Sequence, residues 1–398
     1  MKCAGGRPRL DGAAACTSGR VTVPETLGIV VIGRNEGERL PRCLDSVSRS
    51  GSPVVYVDSG STDGSLDLAR ERGALVLALD GSCRFTAARA RNAGYHRLLR
   101  LQPGIEFVQF VDGDCELAGG WLERATRFLE SHPRVAAVSG RLRERHPEAT
   151  IYNRLCAIEW DAPPGQARSC GGIVMMRVEA LEDTGGFDPD LIAGEEPELC
   201  VRLREVHWSV HRIDAEMATH DADITRFSQW WRRSLRSGYA YAEAAFLHGQ
   251  PPECAGVHES RSIWFWGAIL PVLALALAWA TRGQSLLLLL LAYTLLFLKT
   301  YRSASRGRMT AADAALYAGA CTLAKFPQVL GQLKFRWTRL SGRASGIIEY
   351  KSTRGARVGP STARAAYSGS RTCRPNAADG STGWRARAEA EEQEQPAP

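Results

Sequence analysis

The segment Phe110-Val111-Asp112-Gly113-Asp114-Cys115-Glu116 ends an apolar run with two carboxylates spaced i and i+2. Hard cations such as Mg²⁺ or Mn²⁺ take carboxylate oxygens together with substrate phosphates, and seldom a full protein cage. Two acids delivered by one strand end can therefore hold a metal against a diphosphate, although the same residues also suit a plain turn. Three further apolar runs lead into polar groups. Gly33, Arg34, Asn35 and Glu36 follow the first, and Asp58-Ser59-Gly60-Ser61-Thr62-Asp63-Gly64 follow the second. Arg89, Arg91 and Asn92 lie on the helical segment after the third. Turns alone would have to be invoked at four successive strand ends, whereas one ligand site explains them together. Neither GxGxxG nor GxxxxGK[ST] occurs, so dinucleotide and P-loop readings lose their main support.

These groups need a scaffold, and the sequence predicts one. Short β-branched or apolar runs at 27–32, 54–57, 74–79 and 105–111 read as strands. Segments with helical spacing at 38–47, 66–72 and 85–101 separate them. This alternation predicts βαβ units and a mainly parallel sheet, which binds ligands beyond the carboxyl ends of its strands. Further strands are expected at 135–140, 172–176 and 210–213, and a helix at 198–206. The stretch 144–167 carries no readable signal and is expected to be loop.

The 398 residues suffice for about two or three domains. At 44% hydrophobic and 23% charged, the composition excludes wholesale disorder, collagen and coiled coil. A net charge of +7 suits a membrane surface or phosphate-bearing ligands better than a dedicated nucleic-acid binder. The 11 cysteines are odd in number and form no CxxC pair, so neither structural zinc nor a thioredoxin-like motif is indicated. They are expected to be reduced thiols on the cytoplasmic side. Residues 1–26 lack the apolar core of a signal peptide, so the polar domain is expected to start in the cytoplasm.

Near residue 260 the composition changes. Residues 262–281 contain no internal charge, and 286–298 form a second apolar run after a four-residue gap. Lys299, Arg302, Arg306 and Arg308 follow. The pattern predicts a transmembrane helical hairpin with both ends cytoplasmic, against a buried hairpin as the plainer alternative. Residues 311–333 read as a weaker helix, interrupted by Lys325 and Pro327, lying at the membrane interface. The predicted organisation is a disordered tail at 1–24, an α/β catalytic domain at 25–250, membrane and interfacial helices at 251–335, and a basic then acidic disordered tail at 336–398.

Taken in order, these motifs resemble the family 2 glycosyltransferases, with their GT-A nucleotide-diphospho-sugar-binding fold. The matching residues are Arg34-Asn35-Glu36, the loop 57–64, Ala90-Arg91-Asn92-Ala93-Gly94, Asp112-Gly113-Asp114 and Gly194-Glu195-Glu196-Pro197-Glu198-Leu199, within about residues 27–225. The resemblance implies that Asp58 contacts the nucleotide base, with the Gly33, Arg34, Asn35 and Glu36 backbone nearby and Arg91 close to the nucleotide pocket. It implies that Asp112 and Asp114 are the DxD pair that binds Mg²⁺ or Mn²⁺, approached by His220. It makes Glu196 the general base, with Glu195 as the alternative.

Three departures are visible. Glu196 stands where the family commonly has Asp, and Ser59 where many members have a second Asp. Gln229-Trp230-Trp231-Arg232-Arg233 has the wrong order for the Gln-x-x-Arg-Trp motif of processive synthases, which favours addition of single sugars. The implied activity is inverting, metal-dependent transfer from a nucleoside diphosphate sugar to a glycan or lipid-linked acceptor. Its expected setting is the cytoplasmic face of a bacterial-type inner membrane, in cell-surface or exopolysaccharide synthesis. Two rival readings are a membrane-anchored, non-catalytic nucleotide- or glycan-binding protein and a nucleotidyltransferase. The paired acids weigh against the first, and the lack of an early Gly- and Arg-rich signature against the second.

Overall fold

The computed structural model describes residues 26–307 and 309–342. Arg308, the tail at 1–24 and residues 343–398 lie outside the described residues.

The first half of the domain follows the predicted alternation. It runs β1 (Leu27–Gly33), α1 (Arg39–Ser48), β2 (Val54–Asp58), α2 (Ser65–Glu71), β3 (Leu75–Ala78), α3 (Ala87–Leu101) and β4 (Phe107–Asp112). β1 is buried from Leu27 to Ile32, as expected of a strand covered on both faces. Its neighbours β2 and β4 both run parallel to it, and β3 runs parallel to β2. Strand alternation divides the core. Leu27, Ile29 and Val31 pack with Leu40, Leu44 and Val47 of α1, whereas Val30 and Ile32 pack with Ala90, Tyr95 and Leu98 of α3. Helix α3 starts where the Thr86 hydroxyl accepts a hydrogen bond from the Arg89 amide at 3.1 Å.

The second half is mixed. It comprises β5 (Cys115–Leu117), α4 (Trp121–Ser131), β6 (Val135–Glu144), α5 (Ile151–Trp160), β7 (Gly165–Ala167), β8 (Val174–Arg177), α6 (Val178–Thr184), α7 (Glu195–Glu205) and β9 (Ser209–His220). The sheet order is β3-β2-β1-β4-β8-β6-β9-β5, with β7 also on β9. β8 joins antiparallel to both β4 and β6, whereas β6 and β9 are parallel. β6 and β9 extend well beyond the segments expected to be strand. The stretch expected to be loop contains α5, capped by Thr150, whose hydroxyl accepts from the Asn153 amide at 3.0 Å. Its low amphipathic contrast hid it: one side packs with Trp230, and Ile151 is exposed.

Beyond the sheet, α8 (Phe227–His248) leads through residues 249–256 into α9 (Val257–Trp264), a π-helical turn (Phe265–Ile269) and α10 (Leu270–Leu277). The turn precedes Pro271, which lacks an N–H and whose ring crowds the carbonyl one turn back, a common cause of local unwinding. Next come α11 (Gln284–Ser305), α12 (Ala311–Leu323) and α13 (Lys325–Ser341). The interrupted helix at 311–333 is thus two helices, and the second runs past the boundary placed at 335. Helices α8 and α13 cross with their backbones in contact, because a Cβ on Gly238 would lie 2.1 Å from the Gln328 carbonyl oxygen. Among the described residues, Val257–Leu277 and Gln284–Ser305 are long and apolar enough to cross a membrane, and only 11% and 6% of their apolar windows is buried. Ser285 donates to the Ala274 carbonyl at 2.7 Å and Tyr293 to that of Trp266 at 2.5 Å, tying the two helices together.

Candidate active site

The polar strand ends of β1, β2 and β4 lie side by side, because the parallel register pairs Gly33 with Asp58 and Ile32 with Asp112. The two loops after β1 and β2 are zipped together. The Asn35 amide donates to Ser61 Oγ at 2.9 Å, and Asn35 Oδ1 accepts from the Thr62 amide at 2.7 Å. Asn35 adopts φ +55°, the left-handed region that asparagine tolerates better than most residues. Asp58 is buried, and its carboxylate organises its own loop. Oδ2 accepts from the Gly60 and Ser61 amides at 2.9 and 2.8 Å, and Oδ1 from the Tyr56 hydroxyl at 3.2 Å. Arg34 lies over the Phe85 ring, and Glu36 pairs with Arg39 at 3.1 Å.

Asp112 ends β4, and the next amide, Gly113 N, donates to the Ile32 carbonyl at 2.8 Å, fixing the turn to β1. The chain then enters β5, whose Cys115 is registered opposite His220 on β9. This ladder brings His220 Nε2 to 3.3 Å from Asp114 Oδ2. Behind the imidazole, Nδ1 faces Glu144 Oε2 at 3.9 Å, and the Trp160 ring meets it edge-on at 4.6 Å. Glu144 is itself held by the amides of His146 and Ala222 and by Asn153 Nδ2, all at 3.1–3.2 Å. Burial pushes the His220 pKa below its ordinary value, which keeps the ring neutral and its nitrogen lone pair available at neutral pH.

Arg91 joins the two sides of the site. Its side chain is 2% exposed. Nη1 lies 3.0 Å from Oε1 of both Glu195 and Glu196, and Nη2 lies 3.1 Å from Asp112 Oδ1. Burial opposes its charge, yet the three carboxylates outweigh burial and hold it firmly protonated. Both glutamates stand in the first turn of α7, not ahead of the helix as expected from the sequence, because Gly194 supplies the left-handed residue that opens it. Glu195 is buried, while the Glu196 side chain keeps 15% exposure. Burial first, and Glu195 second, push the Glu196 carboxyl up to about 7 against the pull of Arg91. Glu198 is committed elsewhere: Arg202 grips it through Nε and Nη2 at 2.8 and 2.7 Å, and His248 Nε2 approaches it at 2.9 Å.

The donor set suits a hard divalent ion. Among the described residues, Asp114, Cys115 and His220 have ligand atoms within 4.8 Å of one another. Burial pushes the Cys115 thiol well up, so it stays protonated and is a poor partner for such an ion. Asp114 and His220 remain, with the Glu144 carboxylate 3.9 Å behind His220 Nδ1, beyond direct hydrogen-bond reach. Asp112, a third exposed, lies two residues before Asp114. Glu144 and Trp160 were not singled out from the sequence. Neither belongs to a local motif, and each reaches the site only through the pairing of β6 with β9 and the placement of α5.

The arrangement is a mostly parallel α/β sheet of the GT-A type with acids gathered at its strand ends. Residues 28–183 match the sequence profile of Glycosyl transferase family 2. The mannosyltransferase PcManGT from Pyrobaculum calidifontis, solved with GDP-Man and Mn²⁺, shares the fold with a TM-score of 0.53 at 22% identity, over 79% of this chain and 88% of that one. The glycosyltransferase AglE of Haloferax volcanii is 26% identical over 203 residues, 48% of this chain and 62% of AglE. The pre-mycofactocin glycosyltransferase of Mycobacterium tuberculosis is 28% identical over 233 residues, 55% of this chain and 47% of that protein. The chain thus spans about half to three-fifths of the length of these curated relatives.

Proposed function

We propose that the protein transfers a single sugar from a nucleoside diphosphate sugar to the hydroxyl of a glycan or lipid-linked acceptor, with inversion, at the cytoplasmic face of a bacterial-type cell membrane. The observation that carries this reading is the convergence of Asp112, Asp114, His220 and Glu196 at the carboxyl ends of the parallel strands. Asp114 and His220, with Asp112, would hold Mg²⁺ or Mn²⁺. A bound divalent cation supplies neutralising charge to the departing diphosphate. The zipped loops carrying Gly33, Arg34, Asn35, Glu36 and Asp58 cradle the nucleotide.

Glu196 accepts the proton of the acceptor hydroxyl. The acceptor oxygen forms the new bond to the anomeric carbon, and the bond from that carbon to the diphosphate oxygen breaks with its electron pair leaving on the diphosphate. One displacement from the face opposite the leaving group inverts the centre. Glu196 is favoured over Glu195 because it keeps exposure while Glu195 is buried against Arg91. The two apolar helices, with the basic residues Lys299, Arg302 and Arg306 clustered at the C-terminal end of the second, support a membrane hairpin that holds this site near lipid-borne acceptors.

The test is donor hydrolysis over UDP-, GDP- and dTDP-sugars, with and without Mn²⁺, by the full chain in detergent or nanodiscs. Turnover of at least one donor that requires the metal is expected. Tight donor binding with no turnover, and none in a membrane extract supplying acceptors, would replace this reading with the non-catalytic one.

A further inference from the structure

We propose that Arg91 is the positioning residue of this reaction: it locks the base Glu196 to the donor-side carboxylate Asp112, with Glu195 as its buried counter-ion, and does not itself hold the nucleotide. The inference rests on the reading of the site as a glycosyl-transfer centre.

Three segments far apart in the chain meet at one guanidinium. Arg91 comes from α3, Asp112 from the end of β4, and the two glutamates from the first turn of α7. Both terminal nitrogens are engaged by carboxylates, and the guanidinium carbon lies 5.5 Å from the Phe187 ring centroid. With 2% of its side chain exposed, it offers no face to a ligand arriving from solvent. Exposure instead rises outward from Arg91: Glu195 is 4% exposed, Glu196 15% and Asp112 33%. The buried glutamate anchors the cation, and the two more open carboxylates are the ones it sets in place.

A planar fork suits this task and an ammonium does not. Guanidinium donors point in fixed, divergent directions, whereas lysine presents one compact charge on a flexible stem. The fork thereby fixes the separation between the group that meets the donor and the group that meets the acceptor. That separation matters, because misplacing reacting groups by about 1 Å can cost about 10²-fold in rate.

Gly172, ahead of β8, is an independent sign that this geometry is enforced. A Cβ there would lie 2.4 Å from Arg91 Nη2, 2.8 Å from Asp112 Oδ2 and 3.1 Å from Glu196 Oε1. The absence of a side chain lets the clamp close. Gly172 also lies outside the left-handed region, so alanine fits its backbone, and the nearest clash falls on the far end of a flexible side chain.

The experiment compares wild type, Arg91→Lys and Gly172→Ala as full-length protein. It measures the affinity of UDP, GDP and dTDP in Mn²⁺ by calorimetry, the saturated rate of hydrolysis of the corresponding sugar donors, and thermal melting. In hydrolysis, water replaces the acceptor hydroxyl. The expected result is a nucleotide Kd within about threefold of wild type in both variants, with saturated turnover lowered by about 10²-fold. Lysine should not rescue. A Kd weakened more than tenfold with saturated turnover retained would make Arg91 a donor contact and overturn the proposal, as would wild-type behaviour of both variants. If Arg91→Lys fails to fold, Gly172→Ala, which keeps every charge, decides alone. A wild type that neither binds these nucleotides nor turns over their sugars is a different failure, and it removes the transfer reading itself.

Discussion

His220 Nε2 and Asp114 Oδ2 stand 3.3 Å apart, although 106 positions separate the two residues in the chain. The β5/β9 ladder is the cause: Cys115 pairs with His220, so the residue next to each partner is carried to the same end of the sheet. Glu144, at the end of β6, backs the imidazole from the other side.

Removal of either proposed metal ligand should separate metal binding from folding. Asp114→Ala is expected to lower Mn²⁺-dependent donor turnover by at least about 10²-fold, since the cation carries leaving-group charge. His220→Ala and Glu144→Gln should weaken Mn²⁺ binding by roughly 10- to 100-fold, the scale seen for ligand and supporting-residue losses. Mn²⁺ titration followed by electron paramagnetic resonance reads this directly. Full turnover by Asp114→Ala in excess EDTA would remove the DxD assignment.

The three glutamates of α7 are expected to behave differently although they share one turn. Glu196→Gln should leave donor affinity unchanged and lower turnover by about 10²-fold or more, because the amide cannot take a proton. Glu198→Gln should act on stability, losing about 1–3 kcal/mol as its bonds to Arg202 and His248 weaken, with turnover per folded molecule retained. If Glu195→Gln alone is inactive, the base is Glu195.

The pH profile follows from the burial of Glu196. Its carboxyl is pushed up to about 7, and a base must be deprotonated to act. Donor kcat/KM at saturating Mn²⁺ should therefore rise with pH to half its plateau near pH 7. The same limb should be missing from the residual activity of Glu196→Gln. A profile flat from about pH 5 to 8 would mean that no carboxyl with a raised pKa acts as base.

The hairpin of Val257–Leu277 and Gln284–Ser305 is expected to span the membrane with both ends cytoplasmic. Reporter fusions at Gly249 and Gly307 should both read as cytoplasmic, and the full chain should resist extraction by alkaline carbonate. A periplasmic signal from either fusion would reverse the topology.

The sequence by itself determined the strand ends and what they carry. In βα units the periodicity is local, so the apolar runs locate β1, β2 and β4, and Asp58 and Asp112 end two of them. It also determined the apolar hairpin, since length and absence of charge are properties of a single segment. Only the tertiary structure decided the partners. The family resemblance makes Arg91 a basic residue near the nucleotide pocket, and the fold commits it to Asp112, Glu195 and Glu196. Glu198 and Glu196 are equivalent by charge and position in a helix turn, and packing against α8 gives one to Arg202 and His248 and leaves the other open. Helix α5, Glu144 and Trp160 were illegible because their roles depend on the β6–β9 pairing and its register shifts. Local spacing encodes which face of an element a side chain occupies; which distant element meets that face is fixed only when the whole core packs and every buried charge must find its counter-charge.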